Sequence, residues 1–172
     1  QGLTSAGIKR GDLKSNPFKA ISILGDPMLP SISGIAAGVL GSGGKVMLAG
    51  GTQMTAVIAI LKSLDQPLDN ICIGTTVYVA RDQTSDLVGL TETLSENAVP
   101  VYASNLHMEE SSIDGLQAFS KGYVKDGVGA GGMSIAAILK LSGRINGENL
   151  LYYIEREYNR LVSSRRNTQA SL

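Results

Sequence analysis

Apolar residues along this chain come in short blocks, separated by turns bearing glycine and proline. Phe18–Pro27, FKAISILGDP, reads as a short buried strand that ends in a turn. Ser31–Gly44, SISGIAAGVLGSGG, follows as a small-residue helix with a glycine stop. Lys45–Thr52, KVMLAGGT, is a second strand, closed by a Gly-Gly turn. Gln53–Leu64 is a helix, because Met54, Val57, Ile58 and Leu61 recur at helical spacing. Ile71–Ala80, ICIGTTVYVA, is a β-branched third strand, and Ser85–Asn97 a helix. Val99–Ser104 is a fourth strand, and Ser111–Gly122 a helix with a Ser N-cap. A glycine-rich loop leads into an apolar helix over Met133–Gly143. A last helix runs from Gly147 to Val162, with Leu150, Leu151, Ile154, Tyr158 and Leu161 on one stripe.

Strand and helix alternate, and the strands are apolar on both faces. That pattern predicts an α/β fold of three layers: a mostly parallel, Rossmann-like sheet with helices on both faces. One domain over residues 18–162 accounts for it. Residues 1–17 read as a lead-in, and 163–172 as a polar, disordered tail. The chain opens with Gln and in mid-segment, which reads as a portion of a longer protein, so that part of any site is expected outside it. Ligands of such sheets bind at the carboxyl ends of the strands, so GDPMLP, GGTQM, ARDQTSD and SNLHMEESS are the loops to search.

Composition narrows the classes. The 172 residues are 43% apolar and 17% charged, enough for one core. Fifteen basic residues balance fifteen acidic ones, leaving no basic field for nucleic acid or a membrane surface. No apolar stretch is long enough to span a bilayer, and the first residues lack the apolar core of a signal peptide. The lone Cys72 lies between isoleucines and reads as a small buried hydrophobe. A single cysteine forms no internal disulfide, which fits a cytoplasmic protein.

The densest candidate chemistry is Lys125–Met133, KDGVGAGGM, where four of nine residues are glycine ahead of a helix. Backbone N–H groups at such a helix start favour an anion. Gly127, Gly129 and Gly132 also match the spacing G-x-G-x-x-G, but the preceding SKGYVKD is a poor strand, and the dinucleotide reading needs a clear one. Gly50, Gly51, Thr52 and Gln53 repeat the logic at another strand end, with Thr52 either a helix cap or a ligand contact. Asp26 is either a turn former before proline or a ribose contact. Arg81 is either a phosphate partner or part of a solvated helix start, with Asp82 and Asp86 as caps. His107 has no further His or Cys to build a zinc site, and Glu109 and Glu110 beside it read as a solvated pair.

Taken together, GDPMLPSISGIAAGVL, KVMLAGGTQMTAVIAIL, TTVYVARDQTSDLVGL and GYVKDGVGAGGMSIAAIL resemble one family. It is the group of archaeal and cyanobacterial proteins related to nicotinate-nucleotide–dimethylbenzimidazole phosphoribosyltransferase. The resemblance runs from about Phe18 to Leu161 and implies a parallel α/β sheet, usually in a homodimer. It implies transfer of phosphoribose from nicotinate mononucleotide to a benzimidazole nitrogen, for the lower ligand of cobalamin. Neither metal nor cofactor is needed, because the pyridinium leaves as a neutral base. By the same resemblance Gly127, Gly129, Gly131 and Gly132 are the phosphoribosyl loop, and Gly50, Gly51 and Thr52 a second loop. The characterised enzyme carries its base in a pattern of the type G-E-G-T-G. Here Gly127-Val128-Gly129-Ala130-Gly131 has Val128 in place of that Glu, and valine accepts no proton. Asp126 and Asp26 are the substitute carboxylates to consider. The alternative is a protein that binds a nucleotide or cobamide precursor without catalysis.

Overall fold

The computed structural model describes residues 2–94, 99–122, 129–141 and 144–169. A one-turn helix α1 (Gly2–Ser5) precedes α2 (Pro17–Leu24) and α3 (Met28–Gly41). Then come β1 (Val46–Ala49), α4 (Gln53–Ser63), β2 (Ile71–Thr76), a short α5 (Val77–Ala80), α6 (Leu87–Leu94) and β3 (Val101–Ser104). A 3-10 turn at Met108–Glu110, α7 (Asp114–Ser120), α8 (Gly129–Lys140) and α9 (Leu150–Gln169) complete the order. The three strands are parallel, in the order β1-β2-β3, with Val46 opposite Ile71 and Ile73 opposite Val101.

This is the α/β class that the strand–helix alternation predicts, with one strand fewer among the described residues. Phe18–Pro27 is not a strand. Asn16 accepts the Lys19 N–H at 3.0 Å and Pro17 fills the first helical position, so the segment starts as helix α2. Phe18 and Ile23 are exposed, at 70% and 37%, and do not enter the core. The third strand also stops early. The Thr76 hydroxyl accepts the Val79 N–H at 3.4 Å, which turns Val77–Ala80 into α5. At the other end, α9 continues past Val162 to Gln169, through a stretch with no Gly or Pro to stop it.

The sheet is covered on both faces. Leu48, Ile71 and Ile73 join Val57, Ile58 and Leu61 of α4, Ala36 and Leu40 of α3 and Leu87 of α6 in the main core. Burying side chains of this size is worth about 1.5–3 kcal/mol each. Side chains alternate along a strand, so Met47, Ala49 and Gly74 face the other way, toward α8, which contacts all three strands. A second core of Leu106, Met108 and Leu150, with Tyr78, Phe119 and Ile154 packed on it, supports the ground beyond the carboxyl ends of β2 and β3.

Candidate functional site

The amino end of α8 lies against the sheet closely enough to exclude side chains. A Cβ on Gly131 would fall 2.0 Å from the Thr75 carbonyl carbon and 2.4 Å from the Thr76 nitrogen. A Cβ on Gly132 would fall 2.8 Å from the Ala49 Cα and 2.9 Å from the Gly74 oxygen. Gly74 reciprocates, since its Cβ would meet the Gly132 Cα at 2.7 Å. The Ser104 hydroxyl, buried at the end of β3, lies 3.2 Å from the Gly131 oxygen and 3.4 Å from the Thr75 oxygen, and donates across this seam. Helix packing on strand backbone thus accounts for Gly131 and Gly132 by itself. Gly129 is looser: among the described residues, the nearest atom to its Cβ would be the Ala49 oxygen, at 3.3 Å.

The seam brings two glycine segments, far apart in sequence, to one edge. Gly50, Gly51 and Thr52 follow directly on Ala49, the residue that Gly129 and Gly132 touch. The Gly50 N–H is already spent on the Gly74 oxygen, at 3.0 Å. Thr52 makes no side-chain cap; its carbonyl accepts from Thr55 instead, and Gln53 is exposed at the start of α4. The α8 start contributes N–H groups that no carbonyl within the helix can accept, and the positive dipole end of any helix N-terminus. Asp126, Gly127 and Val128 lie outside the described residues. Asp26 follows a helix, not a strand. It accepts the Met28 and Leu29 N–H groups at 2.8 and 3.2 Å and so holds the start of α3.

Beside this seam, at the carboxyl end of β2 and β3, a cleft of about 500 Å³ opens between α5 and the end of α7. Arg81 and Lys121 line it, with Tyr78, Asn105, Glu109 and Phe119. Tyr78 is held from three sides. Its ring meets Phe119 edge-on at 5.6 Å, its oxygen accepts the Met108 N–H at 2.9 Å, and its O–H donates to Glu109. Burial and the Glu109 hydrogen bond push the phenol up to about 12, and the same O–H holds the Glu109 carboxyl below its usual range. Asp82, also on the lining, accepts the Thr84 N–H and O–H, and Asp86 caps α6 by accepting the Gly89 N–H at 3.1 Å.

The ligand atoms of His107, Glu109 and Glu110 lie within 4.8 Å of one another, a spacing that suits a metal ion. Each already has a partner, His107 with Glu110 at 3.1 Å and Glu109 with Tyr78. Burial raises the Cys72 thiol, which keeps it from thiolate chemistry.

Sequence reading thus reached Arg81 and the α8 glycines but missed Tyr78, Asn105, Phe119 and Lys121. The signal that would have found Tyr78 is Thr76, a helix-capping residue type ahead of VYVA.

The fold defines a class, the parallel α/β domains, in which ligands bind at the carboxyl edge of the sheet. Its homologues are archaeal proteins named UPF0284, a name that carries no activity. The chain is 40% identical to the UPF0284 protein of Thermococcus kodakarensis over 94% of its own length and 46% of the relative's. It is 43% identical to that of Sulfolobus acidocaldarius over 88% and 42%, and 44% identical to that of Methanosarcina acetivorans over 77% and 37%. The chain therefore spans less than half the length of these relatives. No family pattern matches it. Among the described residues, no helix is long and apolar enough to cross a membrane.

Proposed function

We propose that this chain carries the nucleotide-holding edge of a phosphoribosyltransferase-like protein that acts on nicotinate mononucleotide and passes phosphoribose to a benzimidazole-type base. The observation that supports this reading is the convergence of the two glycine segments on Ala49, at the carboxyl end of β1. Each segment belongs to a motif through which the chain resembles that family. The start of α8 offers N–H groups to the phosphate, and Gly51 and Thr52 border the same ground. Gly131 and Gly132 serve this site indirectly, by letting α8 approach the strand ends. Oxocarbenium-like charge at the ribose C1′ demands a rigidly held phosphate and ribose, and a helix seated on strand backbone is a rigid support. The resemblance carries a homodimer with it, and sedimentation of the purified protein tests that.

The second reading is a protein that binds the mononucleotide without transferring its ribose. Val128, where the characterised enzyme has Glu, favours it. One experiment separates the two. The full-length protein is titrated with nicotinate mononucleotide, then incubated with the nucleotide and dimethylbenzimidazole while nicotinate is followed. Binding with release supports transfer. Binding without release supports the second reading, and no binding removes both.

A further inference from the structure

We propose that Glu109, aligned by Tyr78, is the carboxylate that takes the proton from the incoming base, in a subsite formed by the cleft between α5 and α7. The assignment rests on the transfer reading above. It answers what Val128 leaves open, where the proton goes. The cleft has the size of a small heterocycle's site, at about 500 Å³, and lies at the carboxyl ends of β2 and β3, next to the α8 seam. Its lining is apolar at Val77, Val79 and Phe119, with the carboxylate of Glu109 and the amide of Asn105 as hydrogen-bonding groups. Arg81 and Lys121 are offset in charge by Asp82 and Glu109, so the cleft as a whole suits a neutral ligand rather than an anion.

Among the described carboxylates near this edge, Glu109 lines the cleft and is held in place by a neutral donor. Glu110 is paired with His107. Asp82 is engaged by Thr84, and Asp86 by the start of α6. Glu155 accepts from Ser111 and from the Ser112 N–H. Glu109 instead accepts from a neutral phenol, itself fixed by Phe119 and the Met108 N–H. A neutral donor orients the carboxylate and leaves its negative charge in place.

The step balances without an outside reagent. The lone pair of the unprotonated ring nitrogen forms the new bond to C1′. The C1′–pyridinium bond breaks, and its electron pair returns to the nicotinate nitrogen. The acceptor ring then carries a positive charge, which makes its other N–H acidic. That proton passes to the Glu109 carboxylate and from there to water. Because the N–H becomes acidic as the bond forms, a carboxylate held below its usual range is still basic enough.

The test uses the full-length protein, with nicotinate release from the mononucleotide in the presence of dimethylbenzimidazole. Glu109→Gln is expected to lower kcat by about 10²–10⁴-fold, with mononucleotide affinity unchanged. Glu109→Asp is expected to recover part of that loss. Tyr78→Phe leaves the Glu109 carboxylate in the cleft but no longer aligned, so kcat is expected to fall by a smaller factor than in Glu109→Gln, with KM for the mononucleotide unchanged. A merely structural role for the pair would not give this split of kcat from KM or the partial recovery in Glu109→Asp. Wild-type kcat in Glu109→Gln or in Tyr78→Phe overturns the assignment and leaves the transfer reading standing. A wild type that binds nucleotide but releases no nicotinate overturns both.

Discussion

Adding one methyl group to the α8 seam provides a sharp test of the fold, because the same change elsewhere has the opposite sign. In Gly131→Ala the new Cβ meets strand backbone, the Thr75 carbonyl carbon at 2.0 Å and oxygen at 2.1 Å. No rotamer relieves this, so α8 must lift from β2. Overpacking costs about 1–3 kcal/mol, and rigid backbone obstacles put this case at the upper end. Replacing Gly by Ala within a helix returns about 1 kcal/mol. The net loss is about 2 kcal/mol, or about 4–8 °C in Tm for a chain of this length. Gly34→Ala, in α3, is the control. Among the described residues nothing lies within 4 Å of its Cβ, so the helix term remains, a gain of about 1 kcal/mol. Urea unfolding followed by circular dichroism measures both midpoints. If Gly131→Ala unfolds at the wild-type midpoint, α8 does not sit on β2 in the way described, and the seam argument fails.

Asp26→Ala removes the acceptor of two N–H groups at the start of α3, and is expected to cost about 1 kcal/mol in urea unfolding. Mononucleotide affinity should not change, because Asp26 serves the helix. The Glu155 carboxyl is held below its ordinary range by the Ser111 O–H first and then by the Ser112 N–H. A depressed carboxyl contributes its stability above the unfolded value and loses it as pH falls through the folded one. Glu155→Gln should therefore flatten the decline of Tm below about pH 4.3, with little change in slope at neutral pH. Tyr78, raised to about 12, should appear as a late step in the 295 nm titration of the tyrosines, and Tyr78→Phe should remove that step.

Sequence pattern reached the class of the fold because buried parallel strands leave continuous apolar runs, as KVMLA and ICIG do. It failed where a short apolar run fits either element. FKAISIL has too few residues for its period to decide, and the Asn16–Pro17 start signal outweighs its β-branched content. At the site, glycine spacing located the helix start but not the reason for each glycine. Close packing on Thr75 and Ala49 is a long-range contact, and no local pattern encodes it. The cleft was hidden for a similar cause. Tyr78, Asn105 and Lys121 come from three segments and meet only through the order β1-β2-β3. The SSIDG start illustrates the same limit: Ile113, not a serine, occupies the cap position of α7, while the Ser111 hydroxyl donates to Glu155 of α9 at 2.6 Å.

The central claim is that the start of α8 holds the phosphate of a mononucleotide at the carboxyl edge of the sheet. Gly129→Glu addresses it directly. Among the described residues, a Cβ at 129 asks the Ala49 oxygen, at 3.3 Å, to yield slightly, and a carboxylate suits a helix start, so the fold should persist. The added charge occupies the ground the phosphate would use. Calorimetric titration of full-length protein with nicotinate mononucleotide should give measurable binding for the wild type. In the variant, affinity should fall by about tenfold or more, a difference of about 1.4 kcal/mol or greater. Equal affinity in the two proteins would contradict the account and remove α8 from the site.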